Sequence, residues 1–334
     1  MIKNQEISIK DALAGLLLPS GNDAAMALAV HTARKVNNDP RLPVNEALQV
    51  FGDLMNQKAE ELGMTSSHFI NPHGLHDPSH VTSAKDLLTL TKAIRSNDFV
   101  SSLLDMPLYE TEDGRYRFYS TNLYHHQKLD DVWFLYQKGA NPQYREEVTG
   151  VKTGNTNEAG RCLIFSAEEG DTSIIGIVLH SDIPLVYEEG IAIMDGIFDG
   201  MEWVGDPARE DWDHILELEG LLFFPGEKLE LTSLGSMSHL VQKDSLKDVS
   251  FRFVLETDKL GPNEEGTHRL LKTLEDGELV GNLEMVLEDR VLENVPAAVV
   301  KGRAPVEDWL PLGATGSVVL ILFLGIRKKM MVKK

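Results

Sequence analysis

The sequence predicts a mixed α/β (α+β) domain followed by a small all-β domain. Three observations carry that expectation. Apolar residues recur at helical spacing in the first third of the chain. From about residue 107 the pattern switches to short, aromatic-rich alternating runs. At Gly205-Asp206-Pro207 it changes again, to acidic strands punctuated by turns. Helices first, antiparallel strands next and a closing helix form an α+β layer arrangement.

Residues 1–37 read as two helices. Ile9, Ala12, Leu13, Leu16 and Leu17 share a face, Pro19-Ser20-Gly21-Asn22 breaks the helix, and Asn22 or Asp23 can cap its successor. Residues 43–63 form an amphipathic helix that Gly63 ends. The loop Asn71-Pro72-His73-Gly74-Leu75 follows, and Ser83-Ala84-Lys85-Asp86 opens a helix through about Arg95. Tyr109, Tyr116, Phe118 and Tyr119 around Asp113-Gly114 predict a hairpin. Val148–Lys152 reads as a strand ending at Thr153-Gly154. Arg161–Ala167 and Ser173–Leu179 make a strand–turn–strand, and Pro184 to about Trp203 a helix. Residues 212–305 read as strands with turns at Pro225-Gly226, Gly261-Pro262-Asn263 and Asp276-Gly277.

The formal net charge of the 334 residues is −20, which repels phosphate backbones and argues against nucleic-acid binding. The single cysteine, Cys162, excludes an internal disulfide framework. The N-terminus lacks the apolar core of a signal peptide. Near the C-terminus, residues 309–326 give about 18 largely apolar positions, the lower limit for a membrane-spanning helix. Arg327, Lys328, Lys329, Lys333 and Lys334 follow, the pattern of an anchor with a cytoplasmic basic tail and the body of the protein outside the cell membrane. The expected domains are therefore 1–205, 206–308, the anchor 309–326 and the tail 327–334.

Two tripeptides carry chemistry: Ser20-Gly21-Asn22 at a helix junction and, roughly 130 residues later, Lys152-Thr153-Gly154. A serine acyl-enzyme needs a nucleophile, a base and a proton path to the leaving amine. A serine hydroxyl beside a lysine relays a proton, and an asparagine amide positions a peptide backbone. A strand lysine and threonine attract a carboxylate. Glycine beside them clears the strand edge, where the backbone can help stabilise an oxyanion. Ser-x-Asn recurs at Ser120-Thr121-Asn122, which reads as chance.

With these motifs the chain resembles the low-molecular-weight penicillin-binding proteins, the D-alanyl-D-alanine carboxypeptidases of the peptidase S11 type. Leu16–Ala25, Asn71–Asp77 with Thr82–Leu87, and Gly150–Thr156 with Ala159–Leu163 carry the match, over about residues 5–203. The resemblance implies a β-lactamase/transpeptidase-like domain that removes the terminal D-alanine of peptidoglycan stem pentapeptides. It implies Ser20 as proton shuttle, Asn22 as positioning amide, Lys152 and Thr153 as carboxylate anchor, and Gly154 as clearance for the substrate. Partners would be D-Ala-D-Ala termini, β-lactams in the complete protein, and the membrane; no metal or cofactor is expected.

The chain departs from the family pattern in two places. The nucleophile and base of the family lie in Ser-x-x-Lys, which occurs nowhere in this sequence. An N-terminally incomplete domain without turnover is therefore expected. The family often carries an arginine after the last strand pair, and His180–Glu188 contains none. A non-catalytic stem-peptide binder and a β-lactamase on the same fold are the alternatives. Outside the motifs, His68, His73, His76 and His80 read as a hydrogen-bonded loop, since His-x-x-His in a Pro/Gly loop has no rigid helix to fix metal geometry. His125-His126 reads as surface, Cys162 as a small core residue, and the second domain as an acidic spacer.

Overall fold

A computed structural model describes residues 5–131, 138–182, 185–206, 215–219, 228–262 and 267–302. They divide into two compact units that part between Asp199 and Gly200.

The first unit opens with helices α1 (Ile9–Leu17), α2 (Asn22–Val36), α3 (Val44–Glu61), α4 (Ala84–Arg95) and α5 (Asp98–Leu104). Local chemistry starts them: the Ser8 hydroxyl accepts from Asp11 N at 3.0 Å and the Ser83 hydroxyl from Asp86 N at 3.2 Å. Small residues set how closely they pack. Ala24, Ala25, Ala29 and Ala33 form the buried stripe of α2, flanked by buried Ala12, Ala14 and Gly15 of α1 and Ala47 of α3.

The aromatic hairpin follows as β1 (Leu108–Glu110) and β2 (Arg117–Tyr119), then β3 (Val148–Thr156), β4 (Gly160–Glu169), β5 (Thr172–Ser181) and α6 (Leu185–Phe198). Strands β3–β5 form one antiparallel sheet in sequence order, with Thr153 opposite Leu163 and Asn155 opposite Arg161. One face presents Val148, Leu163, Phe165, Ala167 and Val178 to Val186 and Met194 of α6. Two glycines are structural requirements of that core. A Cβ on Gly176 would lie 2.0 Å from the Phe165 ring, and one on Gly190 would lie 2.1 Å from the Tyr124 hydroxyl. Helices α4 and α5 pack against β5 and β3.

The closing helix is shorter than its apolar pattern predicts. It stops at Phe198, and Met201–Val204 becomes strand β6, paired with β9 (His239–Gln242). The other strands of the second unit are β7 (Ile215–Glu219), β8 (Lys228–Ser233), β10 (Val249–Leu255), β11 (Leu260–Pro262), β12 (His268–Leu270), β13 (Leu279–Leu287) and β14 (Arg290–Val299). They form a seven-stranded sheet in the order β10-β13-β14-β8-β7-β12-β11. Gly261 and Pro262 lie in strand β11 rather than in the expected turn; as an end strand, β11 has an open side that tolerates a residue without an N–H. Asp276-Gly277 is a turn, with Gly277 at φ +77°. Pro225-Gly226, residues 309–326 and the basic tail lie outside the described residues, among which no helix is long and apolar enough to cross a membrane.

Candidate functional site

Ser20 sits in the turn between α1 and α2, exposed and at φ +59°, a left-handed conformation that costs a serine about 1–2 kcal/mol. The turn is forced by its neighbour. Gly21 N donates to Gly15 O at 3.1 Å, and a Cβ at position 21 would lie 2.5 Å from that oxygen. Gly21 is also the residue that precedes α2, so Asn22 is the first helical residue rather than the cap. Its side chain is exposed and free of capping duty. Asp23 accepts the Ala24 N–H at 2.9 Å.

Lys152-Thr153-Gly154 lies within β3, not at its end, because pairing with β4 continues to Thr156 opposite Gly160. Alternation along the strand separates the three side-chain positions. Thr153 shares its face with Leu163, while Lys152 and Gly154 share theirs with Ile164 and Cys162. Lys152 is half-buried and donates to Thr153 O at 3.0 Å. Burial pulls its pKa down from 10.5 to about 8.

The two motif-bearing elements meet through a third. Thr121 N donates to Leu18 O at 2.9 Å, in the Ser20 turn, and Thr121 Oγ1 shares a 2.7 Å hydrogen bond with Thr153 Oγ1. Tyr187 Oη of α6 donates to Thr121 O at 3.1 Å and accepts from Leu123 N at 3.2 Å. Buried Asn122 accepts from Tyr124 N at 3.2 Å and donates to Gly150 O at 3.4 Å. Ser120-Thr121-Asn122, read from the sequence as a chance recurrence of the pattern, lies between the turn and the strand, and its Thr121 bridges them. Nothing in its spacing signals this, because one end of the bridge is the Thr121 backbone N–H and the other a threonine pair 32 residues apart in the chain. Ser20 and Lys152 themselves share no hydrogen bond.

Next to the strand pair, the 71–77 loop is shaped by Asn71, which accepts from Gly74 N and donates to Leu75 O, both at 2.8 Å. His76 Nδ1 reaches 3.9 Å from Glu158, in the β3–β4 turn. His80 stacks edge-on against Phe69 and accepts from Ile70 N at 3.3 Å, and burial lowers its pKa. His125 and His126 are not surface residues. His126 is buried, with Nε2 2.8 Å from Ser120 O, and both His125 ring nitrogens are enclosed without a hydrogen-bond partner. Burial lowers the His125 pKa to about 4. Adjacent polar histidines mislead here because a short 3-10 turn, 123–125, rolls both rings inward. Cys162 is half-buried rather than a core residue, opposite Gly154, with its Sγ 3.6 Å from Ala159 O.

Residues 1–182 match the family described as Peptidase_S11, D-alanyl-D-alanine carboxypeptidase. The chain is similar to the D-alanyl-D-alanine carboxypeptidase DacF of Bacillus subtilis, 28% identical over 180 residues, 54% of this chain and 40% of that protein. It is similar to DacC of Escherichia coli, 24% identical over 297 residues, 89% of this chain and 64% of the relative. In fold it is similar to the crystal structure of the carboxypeptidase DacD from Francisella tularensis, with a TM-score of 0.57 at 20% identity, covering 90% of this chain and 76% of that one. The chain thus spans well under two thirds of the length of the Bacillus relative.

Proposed function

The chain belongs to the peptidase S11 family of D-alanyl-D-alanine carboxypeptidases, and on that premise we propose that its first unit holds the D-Ala-D-Ala end of a peptidoglycan stem peptide for serine-type carboxypeptidase chemistry. The observation that carries this reading is the Thr121 bridge, which joins the Ser20 turn to the Lys152-Thr153-Gly154 strand through Leu18 O and Thr153 Oγ1. In the complete reaction a nucleophilic serine forms an ester with the penultimate D-alanine carbonyl. The peptide C–N bond breaks, the terminal D-alanine leaves as an amine, and water later hydrolyses the ester. Ser20 relays the proton to the leaving amine. The Asn22 amide, exposed at the start of α2, orients the peptide backbone. Lys152, desolvated and satisfied by a single carbonyl, supplies positive charge, and Thr153 a hydroxyl, for the terminal carboxylate. Gly154 leaves the strand edge open.

The 334 residues hold no Ser-x-x-Lys, so this chain forms no ester with peptide or β-lactam. That favours, for the chain itself, binding without turnover. Residues 309–326 anchor the protein in the cell membrane, with the basic tail in the cytoplasm and both units outside. Incubation with a fluorescent penicillin followed by denaturing electrophoresis tests the absence of acylation, and a labelled band overturns it. Titration with diacetyl-Lys-D-Ala-D-Ala tests the binding site; saturable binding that survives Lys152→Met undiminished removes the lysine from its role.

A further inference from the structure

Helix α2 has a second face beside the alanine stripe that packs it into the first unit. Met26, Val30 and Arg34 recur there every fourth residue, and Ala27, His31 and Lys35 run alongside them. With Val44 at the start of α3 these rows line an open groove of about 830 Å³. It follows α2 for about 14 Å, at 1.5 Å per residue from Met26 to Lys35.

The groove joins two kinds of surface. Its floor is apolar, built from Met26, Ala27, Val30 and Val44, and Val44 is left 47% exposed. Its far end is basic. Arg34 donates from Nε and Nη2 to Leu42 O at 3.0 and 2.9 Å, which fixes the guanidinium across the α2–α3 loop. Among the described residues Arg34 Nη1 makes no hydrogen bond, and neither Arg34 nor Lys35 pairs with a carboxylate. Asp39, the acidic residue of that loop, is turned to Arg41 N at 2.8 Å instead. No acidic residue lines the groove, although Asp and Glu outnumber Lys and Arg by 52 to 32 in the chain. The helix dipole accounts for two cations in the last turn of α2, but not for the exposed apolar floor beside them.

We propose that this groove docks an acidic amphipathic helix of a partner protein, its apolar row on Met26, Val30 and Val44 and a carboxylate on Arg34 and Lys35. Rows of side chains four residues apart accept the ridge of a second helix between them. The guanidinium is already held in place by Leu42 O, so little freedom is lost when a carboxylate meets it. An anionic bilayer or a nucleic acid is repelled by the net charge of −20, and each is held by larger clusters of cations than this one.

The test uses the full chain and a fluorescein-labelled helical peptide of about 14 residues, with leucine along one face and glutamate along the other, read by anisotropy. Binding should be saturable, about tenfold or more tighter than that of the same peptide with lysine for glutamate, and several-fold weaker at high salt. Ala27→Asp and Lys35→Glu change exposed positions, one on the floor and one at the basic end. Each should weaken the glutamate peptide by about fivefold or more, with unchanged thermal midpoints and unchanged binding of diacetyl-Lys-D-Ala-D-Ala. No saturable binding, equal binding of the two peptides, or affinity that survives both substitutions overturns the proposal. Binding to phosphatidylglycerol vesicles with none to the peptide also overturns it and assigns the groove to a membrane surface.

Discussion

Both units bury apolar side chains, but among the described residues only the first also buries whole polar ones. Every buried polar or charged residue among the described ones lies in the first unit: Asp86, Thr91, Thr111, Ser120, Asn122, His126, Asn141, Ser166 and Ser181. The second unit is filled by aliphatic side chains such as Leu229, Leu231, Leu260, Leu283, Met285 and Val299. Among the described residues the first unit combines an antiparallel sheet with six α-helices, and the second is a mostly antiparallel sheet in which β12 runs parallel to β7. An apolar core needs only volume and pattern, whereas each polar group taken out of water needs a partner at hydrogen-bond distance. The first unit meets that demand at Asp86, which accepts from Ser66 N and Ser67 Oγ at 2.8 Å each, and leaves it unmet at His125 and Arg161; the second leaves it unmet at Thr267 and His268.

The contrast can be broken by mutation. The largest expected effect is in the second unit. Leu283→Ala removes a fully buried side chain and should cost about 2–5 kcal/mol, read as a lower denaturant midpoint. Peptide affinity should stay the same, because no site residue belongs to that core; a parallel loss of affinity would join the two units functionally.

His125 should give the next largest effect, and only in acid. Its folded pKa of about 4 lies below the ordinary 6.5. Below pH 6.5 the unfolded chain takes up a proton that the folded ring refuses until about pH 4, so stability is full above 6.5 and declines as pH falls through that window. The loss reaches about 3 kcal/mol at the lower end. His125→Leu should remove this part of the acid sensitivity; identical urea midpoint differences between pH 7 and pH 4.5 in both proteins would refute the assignment.

Lys152 sharpens the comparison from the other side, because here removing a half-buried charge should stabilise. With a folded pKa of about 8 against 10.5, the charged lysine works against folding at neutral pH. Because the side chain is half-buried, Lys152→Met should gain only about 1–3 kcal/mol while weakening the carboxylate peptide by tenfold or more. The unaltered chain should bind that peptide progressively less well above pH 8, as the ammonium deprotonates. Its stability should rise between pH 8 and 10.5, where the unfolded chain keeps the proton that the folded one has released. A flat affinity profile from pH 7 to 10 would exclude the lysine. Smallest of all, Thr121→Val removes the hydroxyl pair with Thr153 and should cost about 1 kcal/mol, with a several-fold loss of peptide affinity.

Much of the helical part was legible because its signals are local. Ser83 starts α4, Gly63 ends the segment that contains α3, and the aromatic run around Asp113-Gly114 folds back as β1 and β2. Two boundaries misled. Trp203 continues an apolar pattern in which helix and strand cannot be told apart, and pairing with Leu240 decides for strand. Thr153 and Gly154 look like strand-ending residues, and pairing with β4 carries the strand past them.

By itself, the sequence determined the elements, the two motifs and the kind of chemistry they suit, because propensity, periodicity and residue type act over a few neighbouring positions. Tertiary structure alone decided that Thr121 joins the Ser20 turn to Lys152-Thr153-Gly154 and that His125 faces inward. These are through-space relations set by strand register and packing, and residues far apart along the chain carry no local mark of them.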